Sequence, residues 1–399
     1  MDECGRNVAS GYLDKEFSLS IIRPGCEFSD LIRPAPNSKR PGYPKNEQVR
    51  SLEARLEQWH ENAAVSGYGD VREQITKVNT DVRAAREIGP HEFRVEPELL
   101  RRVEAIWEGR FVPSTSVRAV PYKIHLYGPG DHFKMHRDTP QKDLVGTFLV
   151  GLGDTTWSGG LVVEGRESPA HCGHWCAFYP DVPHYVGRVN EGYRAVIAFK
   201  IFRASDAGVT MTEKTSTVRQ QASRIMKAME APYGVLLQHK YCLGTDRFSG
   251  FDTVLVESAR TLDAVVVRHL PVVIGASAEW GTHDEVHEPF AMSCTTWVIP
   301  FSGGYIEALQ DPQPKYGWVG PTPTPTHTYC GCPWLEGVKG VPFFSLDLRA
   351  STVAYKEEQE ETCNYVGNEA QAWREDSVYL SYALVVLPKA APEASGGEA

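Results

Sequence analysis

The sequence predicts a mainly β chain with some helix: a β-sandwich or jelly roll in its first half, helical support before it, and an α+β unit after it. Three observations carry this reading. Between Ser116 and Arg203, short β-rich runs follow one another at close spacing: VRAVPYKIHLY, HFKMHRD, LVGTFLVGL, GGLVVEG, GHWCAFYP, HYVGRV and YRAVIAFKIF. Gly, Pro, Asp and Asn turns separate them, the pattern of a sandwich or jelly roll. Before them, from about Asn46 to Gly109, apolar residues recur at helical spacing, and after Pro232 strand-like and helix-like runs mix.

Residues 1–45, rich in Pro, Gly and polar residues, read as an irregular lead-in. Residues 46–205 read as one domain joining the helical support to the jelly roll. Leu52, Leu56 and Trp59 mark its first helix, and Leu99, Leu100, Val103, Ile106 and Trp107 its second. Between them, SGYGDVREQITKVNTDVRAARE reads as a loop with a short helix. Its Tyr68, Asp70, Arg72, Lys77, Asn79 and Arg83 fit a solvated helix-turn with local ion pairs, although loops so equipped often flank a catalytic mouth.

A linking helix is expected within 206–231, with Val218, Ala222, Ile225, Met226 and Met229 on one stripe. Residues 232–388 form the α+β unit: strands at YGVLLQHKY, DAVVVRHLPVVI, CTTWVIPF and VYLSYALVVL, and a helix at FDTVLVESA. PTPTPT at 321–326 reads as an extended loop and Tyr365–Glu369 as a turn. Residues 389–399 carry too little apolar surface to fold.

Composition narrows the function. Of 399 residues, 42% are hydrophobic and 23% charged, normal for a soluble globular protein. The net charge of −10 argues against a general nucleic-acid binder, although a local basic groove remains compatible with it. LDAVVVRHLPVVIGA is interrupted by Arg268, His269 and Pro271, so no membrane span is expected. MDECGRNVASGY has no basic start or apolar core, and nine cysteines show no disulfide rhythm. Both suit reduced thiols in the cytoplasm or nucleus.

The chemistry concentrates in His136-Arg137-Asp138, His184 and Arg194. Residues two apart in a strand point the same way, about 6.5 Å apart, so His136 and Asp138 lean over one ion while Arg137 faces away. His184 is the best third ligand from a distant strand. Two histidines and one carboxylate form the face that holds non-haem Fe(II) and leaves positions open. Arg194 lies inside the apolar strand GYRAVIAFKIF, where a guanidinium needs an anionic partner. A dicarboxylate co-substrate supplies one, gripped by a two-pronged hydrogen bond. The same parity sends Lys123 and His125 inward if Tyr127 points inward, toward a substrate mouth or the barrel rim. Trp157, before a Gly-Gly turn, suits a substrate loop or simple packing.

Tyr127, Gly130, Phe133, His136, Asp138, Thr147, Gly159-Gly160, His184, Gly192 and Arg194 together resemble the Fe(II)- and 2-oxoglutarate-dependent dioxygenases, most closely their prolyl 4-hydroxylase-like branch, over about residues 116–203. The resemblance implies a double-stranded β-helix with Fe(II) held by His136, Asp138 and His184. It also implies that Arg194 binds the distal carboxylate of 2-oxoglutarate, that Tyr127 adds a hydrogen bond, and that Thr147 lines the same pocket. By the same resemblance dioxygen is the second co-substrate, ascorbate a reductant and a protein side chain the favoured substrate, with a nucleic acid or small metabolite left open. Arg194 stands where collagen-type prolyl hydroxylases carry Lys, so prolyl hydroxylation is not implied. Asp138 separates the chain from halogenases, which carry a small residue there.

The sequence leaves two rivals open: a cupin-like metalloenzyme that uses no 2-oxoglutarate, and a non-catalytic binding module on an oxygenase fold. His171-Cys172-Gly173-His174-Trp175-Cys176 and His327 with Cys330-Gly331-Cys332 resemble zinc motifs, but neither has a second pair at finger spacing. His283-Asp284-Glu285-Val286-His287 lacks the Glu placement of a metalloprotease helix and reads as a polar loop. The second unit repeats no H-x-D, His, Arg pattern and is expected to be non-catalytic.

Overall fold

The computed structural model describes residues 4–35, 46–70, 75–139, 141–204, 208–241, 246–263, 265–283, 289–300, 343–344, 352–360 and 370–389. These divide into two compact units, Met1–Thr215 and Ser216–Ala399. The architecture is mainly β, with four helices among the described residues. No helix among them is long and apolar enough to cross a membrane. The Pro-Thr run, the Cys330 cluster, Asp284–His287, Tyr365–Glu369 and nearly all of the tail lie outside the described residues.

The first unit is built on two sheets. The seven-stranded sheet runs, in spatial order, Val8–Tyr12, His174–Phe178, Leu144–Asp154, Arg194–Arg203, Val117–Tyr127, Arg86–Ile88, Ala64–Val65. The five-stranded sheet runs Arg166–Ser168, Leu161–Val163, His184–Val186, His132–His136, Arg83–Ala84. They meet where the Phe178 ring lies 4.6 Å from His184 and Arg194 Nη2 reaches Ser168 O at 3.4 Å. Alternation along the central strands explains the two surfaces. In Arg194–Arg203, Ala195, Ile197, Phe199 and Ile201 enter the apolar core, and Arg194, Val196, Ala198 and Lys200 take the opposite face.

Two helices back the large sheet. Glu47–Asn62 starts at Asn46, whose side chain accepts the Val49 N–H, and it buries Leu56 and Trp59. Such a cap stabilises a helix by about 1 kcal/mol. Pro97–Arg110 has Pro at its start and buries Leu99, Val103 and Trp107, one stripe at helical spacing. Trp107 presses so closely on the sheet that a Cβ at Gly146 would sit 1.9 Å from its ring. That contact fixes the strand one residue before Thr147.

Two expectations are corrected here. Residues 1–45 are not irregular where described. Val8–Tyr12 pairs antiparallel with His174–Phe178, and Phe17–Ile21 joins Phe28–Ile32 and Phe93–Val95 in a separate sheet. These strands pair with partners remote in sequence, so local pattern does not announce them. The polar segment 66–87 forms no helix among its described residues. It supplies strands Tyr68–Asp70 and Ile75–Lys77, which pair with each other, and Arg83–Ala84 and the start of Arg86–Ile88, which pair with strands remote in sequence.

In the second unit, Val265–His283 and Ala370–Pro388 pair along their whole lengths. Ala383, Val385 and Leu387 pack on one face, Leu384 and Val386 on the other, the latter with Leu255 and Val256 of helix Gly250–Ala259. Burial on both faces accounts for the unbroken apolar run of the last strand. Helix Glu213–Ala228 buries Met226, but Ile225, expected on its apolar stripe, is exposed.

Candidate metal centre

His136, Asp138 and His184 come together: one ligand atom from each lies within 4.8 Å of the others. No other such group occurs among the described residues, the Cys172 and Cys176 segment included. His136 and His184 are direct cross-strand partners on neighbouring antiparallel strands. Asp138 differs from the expectation in one respect. It lies just past the strand end at His136, where its N–H donates to Pro180 O at 2.9 Å. Arg137, also past the strand end, donates from Nε to Asp181 O.

Backbone carbonyls orient both rings. His136 Nδ1 meets Lys134 O at 2.8 Å and His184 Nδ1 meets Val182 O at 2.9 Å. A carbonyl only accepts, so each Nδ1 carries the proton and each Nε2 keeps a lone pair. His184 Nε2 lies 3.9 Å from Asp138 Oδ1, and Thr147 Oγ1 donates to Oδ2 of the same carboxylate. Thr147 therefore acts here on the aspartate. Burial, and then His184, push His136 down to about 3, so its ring stays neutral near pH 7, as a metal ligand must.

Arg194 stands in register with Tyr127 and is only 2% exposed, with Tyr127 at 5%. Its Nη2 reaches Ser168 O, but among the described residues Nε and Nη1 are buried without a partner. Cys176 does not supply the missing charge: burial pushes its thiol up to about 11. Asp154, also in register with Arg194, spends its carboxylate on Thr156 and Ala170 N–H. At Gly160 a Cβ would come within 3.2 Å of Arg194 Nη1 and 3.5 Å of Glu167 Oε1, so glycine keeps a space open between the guanidinium and that carboxylate. Buried guanidinium donors without a partner suit an anion such as a distal carboxylate.

The inward parity of Tyr127, His125 and Lys123 holds in register against Arg194, Val196 and Ala198. Lys123 Nζ pairs with Glu87 at 2.7 Å, and His125 Nδ1 accepts from Arg83 Nη2 at 2.9 Å. Burial, and then Arg83, hold His125 well below the usual histidine range. Trp157 is exposed, before the Gly159-Gly160 pair. Sequence reasoning missed Ser168 and Lys200. Lys200 was within reach, because residues 194, 196, 198 and 200 share one face of a strand. Ser168 carried no local signal.

No protein-family model matches the chain, and no curated protein matches it. Solved structures similar to it include a Pseudomonas putida prolyl-4-hydroxylase, at 18% identity and TM-score 0.28, covering 48% of this chain and 94% of that one. A Trichoplax adhaerens prolyl hydroxylase in complex with a hypoxia inducible factor oxygen degradation domain peptide fragment matches at 16% identity and TM-score 0.28, over 41% and 81%. A 2OG-Fe(II) oxygenase family oxidoreductase from Burkholderia pseudomallei matches at 17% and TM-score 0.24, over 39% and 78%. Similarity at this level fixes no family, and the site's chemistry is read from its own residues.

Proposed function

We propose that the unit Met1–Thr215 is an Fe(II)- and 2-oxoglutarate-dependent dioxygenase on a jelly-roll frame, and that the second unit is a non-catalytic accessory. One coincidence carries the reading. A two-histidine, one-carboxylate group stands on the same pair of sheets as a buried guanidinium that, among the described residues, has no ion-pair partner. The first suits Fe(II), and the second explains why a dicarboxylate would bind beside it. A cupin-like enzyme without 2-oxoglutarate would leave Arg194 unexplained.

In this reading His136 and His184 offer Nε2 and Asp138 a carboxylate oxygen to Fe(II). Arg194, with Ser168 and Tyr127, takes the distal carboxylate of 2-oxoglutarate. When bound, Fe(II) with 2-oxoglutarate and dioxygen supplies oxidative decarboxylation to succinate and carbon dioxide, coupled to insertion of one oxygen atom into a C–H bond. The protein contributes orientation: carbonyl-fixed rings and a carboxylate held by Thr147. Ascorbate would serve as reductant, and a protein side chain is the substrate we favour.

The test is a mass-spectrometric search for peptides that gain one oxygen when extract is incubated with the enzyme, Fe(II), 2-oxoglutarate and ascorbate, with succinate measured in parallel. Both signals should vanish in His136→Ala and Asp138→Ala. Succinate formation at the wild-type rate in either variant would refute the ligand assignment.

A further inference from the structure

We propose that Arg83 binds an anionic group of the substrate, a carboxylate or a phosphate, beside the metal position. The proposal rests on the dioxygenase reading and names a feature of its substrate.

Arg83 lies in the polar segment whose bland reading was a solvated surface, yet it is only 7% exposed. Its short strand Arg83–Ala84 pairs with the strand that carries His136, with Arg83 opposite Phe133. The guanidinium carbon sits 4.5 Å from the centre of the Phe133 ring, which stacks on His136 at 3.6 Å. Arg83 is thus one side chain removed from a proposed metal ligand.

Its donors are not exhausted. Of the five N–H groups of a guanidinium, one goes to Gly67 O and one to His125 Nδ1, which leaves three. Nε is buried with no partner. No carboxylate pairs with Arg83 among the described residues. Two neutral acceptors and an aromatic face do not cancel a buried charge, and an arriving anion would.

The neighbours strengthen the case. Lys123 is neutralised by Glu87, and Lys200 meets the Gln141 amide oxygen and the Tyr122 ring. Among the described residues no acidic side chain forms an ion pair with Arg83, in a chain whose net charge is −10. The bond from Arg83 also fixes His125 with its proton on Nε2, adding a neutral donor next to the guanidinium. A fork of donors of this kind matches carboxylate and phosphate oxygens.

The test uses full-length protein loaded with Mn(II) and saturating 2-oxoglutarate. It is titrated with trifluoroacetate in one series and methylphosphonate in another. Binding is read as the relaxation that Mn(II) imposes on the fluorine or phosphorus nucleus, and 2-oxoglutarate affinity is measured on the same samples. Wild type should show saturable relaxation, and the series that saturates first tells carboxylate from phosphate. Arg83→Gln should weaken it about tenfold or more while 2-oxoglutarate affinity holds. Should Arg83→Gln not fold, Arg83→Lys carries the test, with a point charge in place of a fork and binding about threefold weaker. No saturable relaxation in wild type, or unchanged binding in the variants, overturns the proposal. Loss of 2-oxoglutarate affinity with anion binding intact would assign Arg83 to the co-substrate and also overturn it. If wild type takes up neither Mn(II) nor 2-oxoglutarate, the dioxygenase reading fails. Calorimetry of the anions without metal then decides the role of Arg83 separately: tenfold weaker binding in Arg83→Gln supports it, and equal binding ends it.

Discussion

Thr147 Oγ1 donates a hydrogen bond to Asp138 Oδ2, while Oδ1 of the same carboxylate faces His184 Nε2 at 3.9 Å. The hydroxyl thus fixes which carboxylate oxygen is presented to the ion. Thr147→Val keeps the shape and removes the donor. Metal affinity should fall about tenfold to a hundredfold, the range for losing such a support. Calorimetric Mn(II) titration checks this, and wild-type affinity in the variant would remove Thr147 from the site.

Arg194→Met separates stability from binding. Among the described residues the buried guanidinium has no ion-pair partner, so replacing it with an apolar side chain of similar length should leave the ligand-free protein at least as stable. The same change should weaken 2-oxoglutarate at least about tenfold, because a charged two-pronged bond is lost. Denaturation midpoints with and without 2-oxoglutarate test both halves at once.

Gly192, two residues before Arg194, has φ +77°, and a Cβ there would lie 2.3 Å from Thr155 O. Gly192→Ala should destabilise the unit by about 1–3 kcal/mol, through strain and overpacking. Urea denaturation measures the cost, and an unchanged midpoint would mean that the turn relaxes freely.

His174 gives a pH signature. Burial pushes its ring down to about 4 from 6.5. Between these values the unfolded chain binds the proton and the folded one does not. This contribution to stability is therefore complete above about pH 6.5 and is lost as pH falls toward 4. His136 and His125 shift in the same direction. The metal-free His174→Gln variant should show a shallower fall in unfolding free energy over that window. A slope equal to wild type would place the dependence elsewhere.

The sequence exposed the parts of this site that follow from strand period. His136 is singled out by strand alternation and Arg194 as a charge inside an apolar run, whereas Tyr127 enters only through the family resemblance. The sequence offers His184 as the third ligand, but its pairing with His136 joins strands far apart in the chain and shows only in the fold. Arg83 looked solvated because its neighbours in sequence are polar, but pairing beside Phe133 buries it. Ser168 becomes visible only when Arg194 reaches its carbonyl across the two sheets. The strand Val8–Tyr12 was hidden likewise, since its partner lies at His174–Phe178.

The central claim is that one ion and 2-oxoglutarate share the interior between His136, Asp138, His184 and Arg194. Anaerobic titration of Fe(II)-loaded protein with 2-oxoglutarate tests it most directly, through the weak visible charge-transfer band of the chelate. The account predicts a saturable band in wild type that is absent in His136→Ala and Asp138→Ala and needs far more 2-oxoglutarate in Arg194→Met. Wild-type protein that binds Fe(II) but develops no band at saturating 2-oxoglutarate would contradict it.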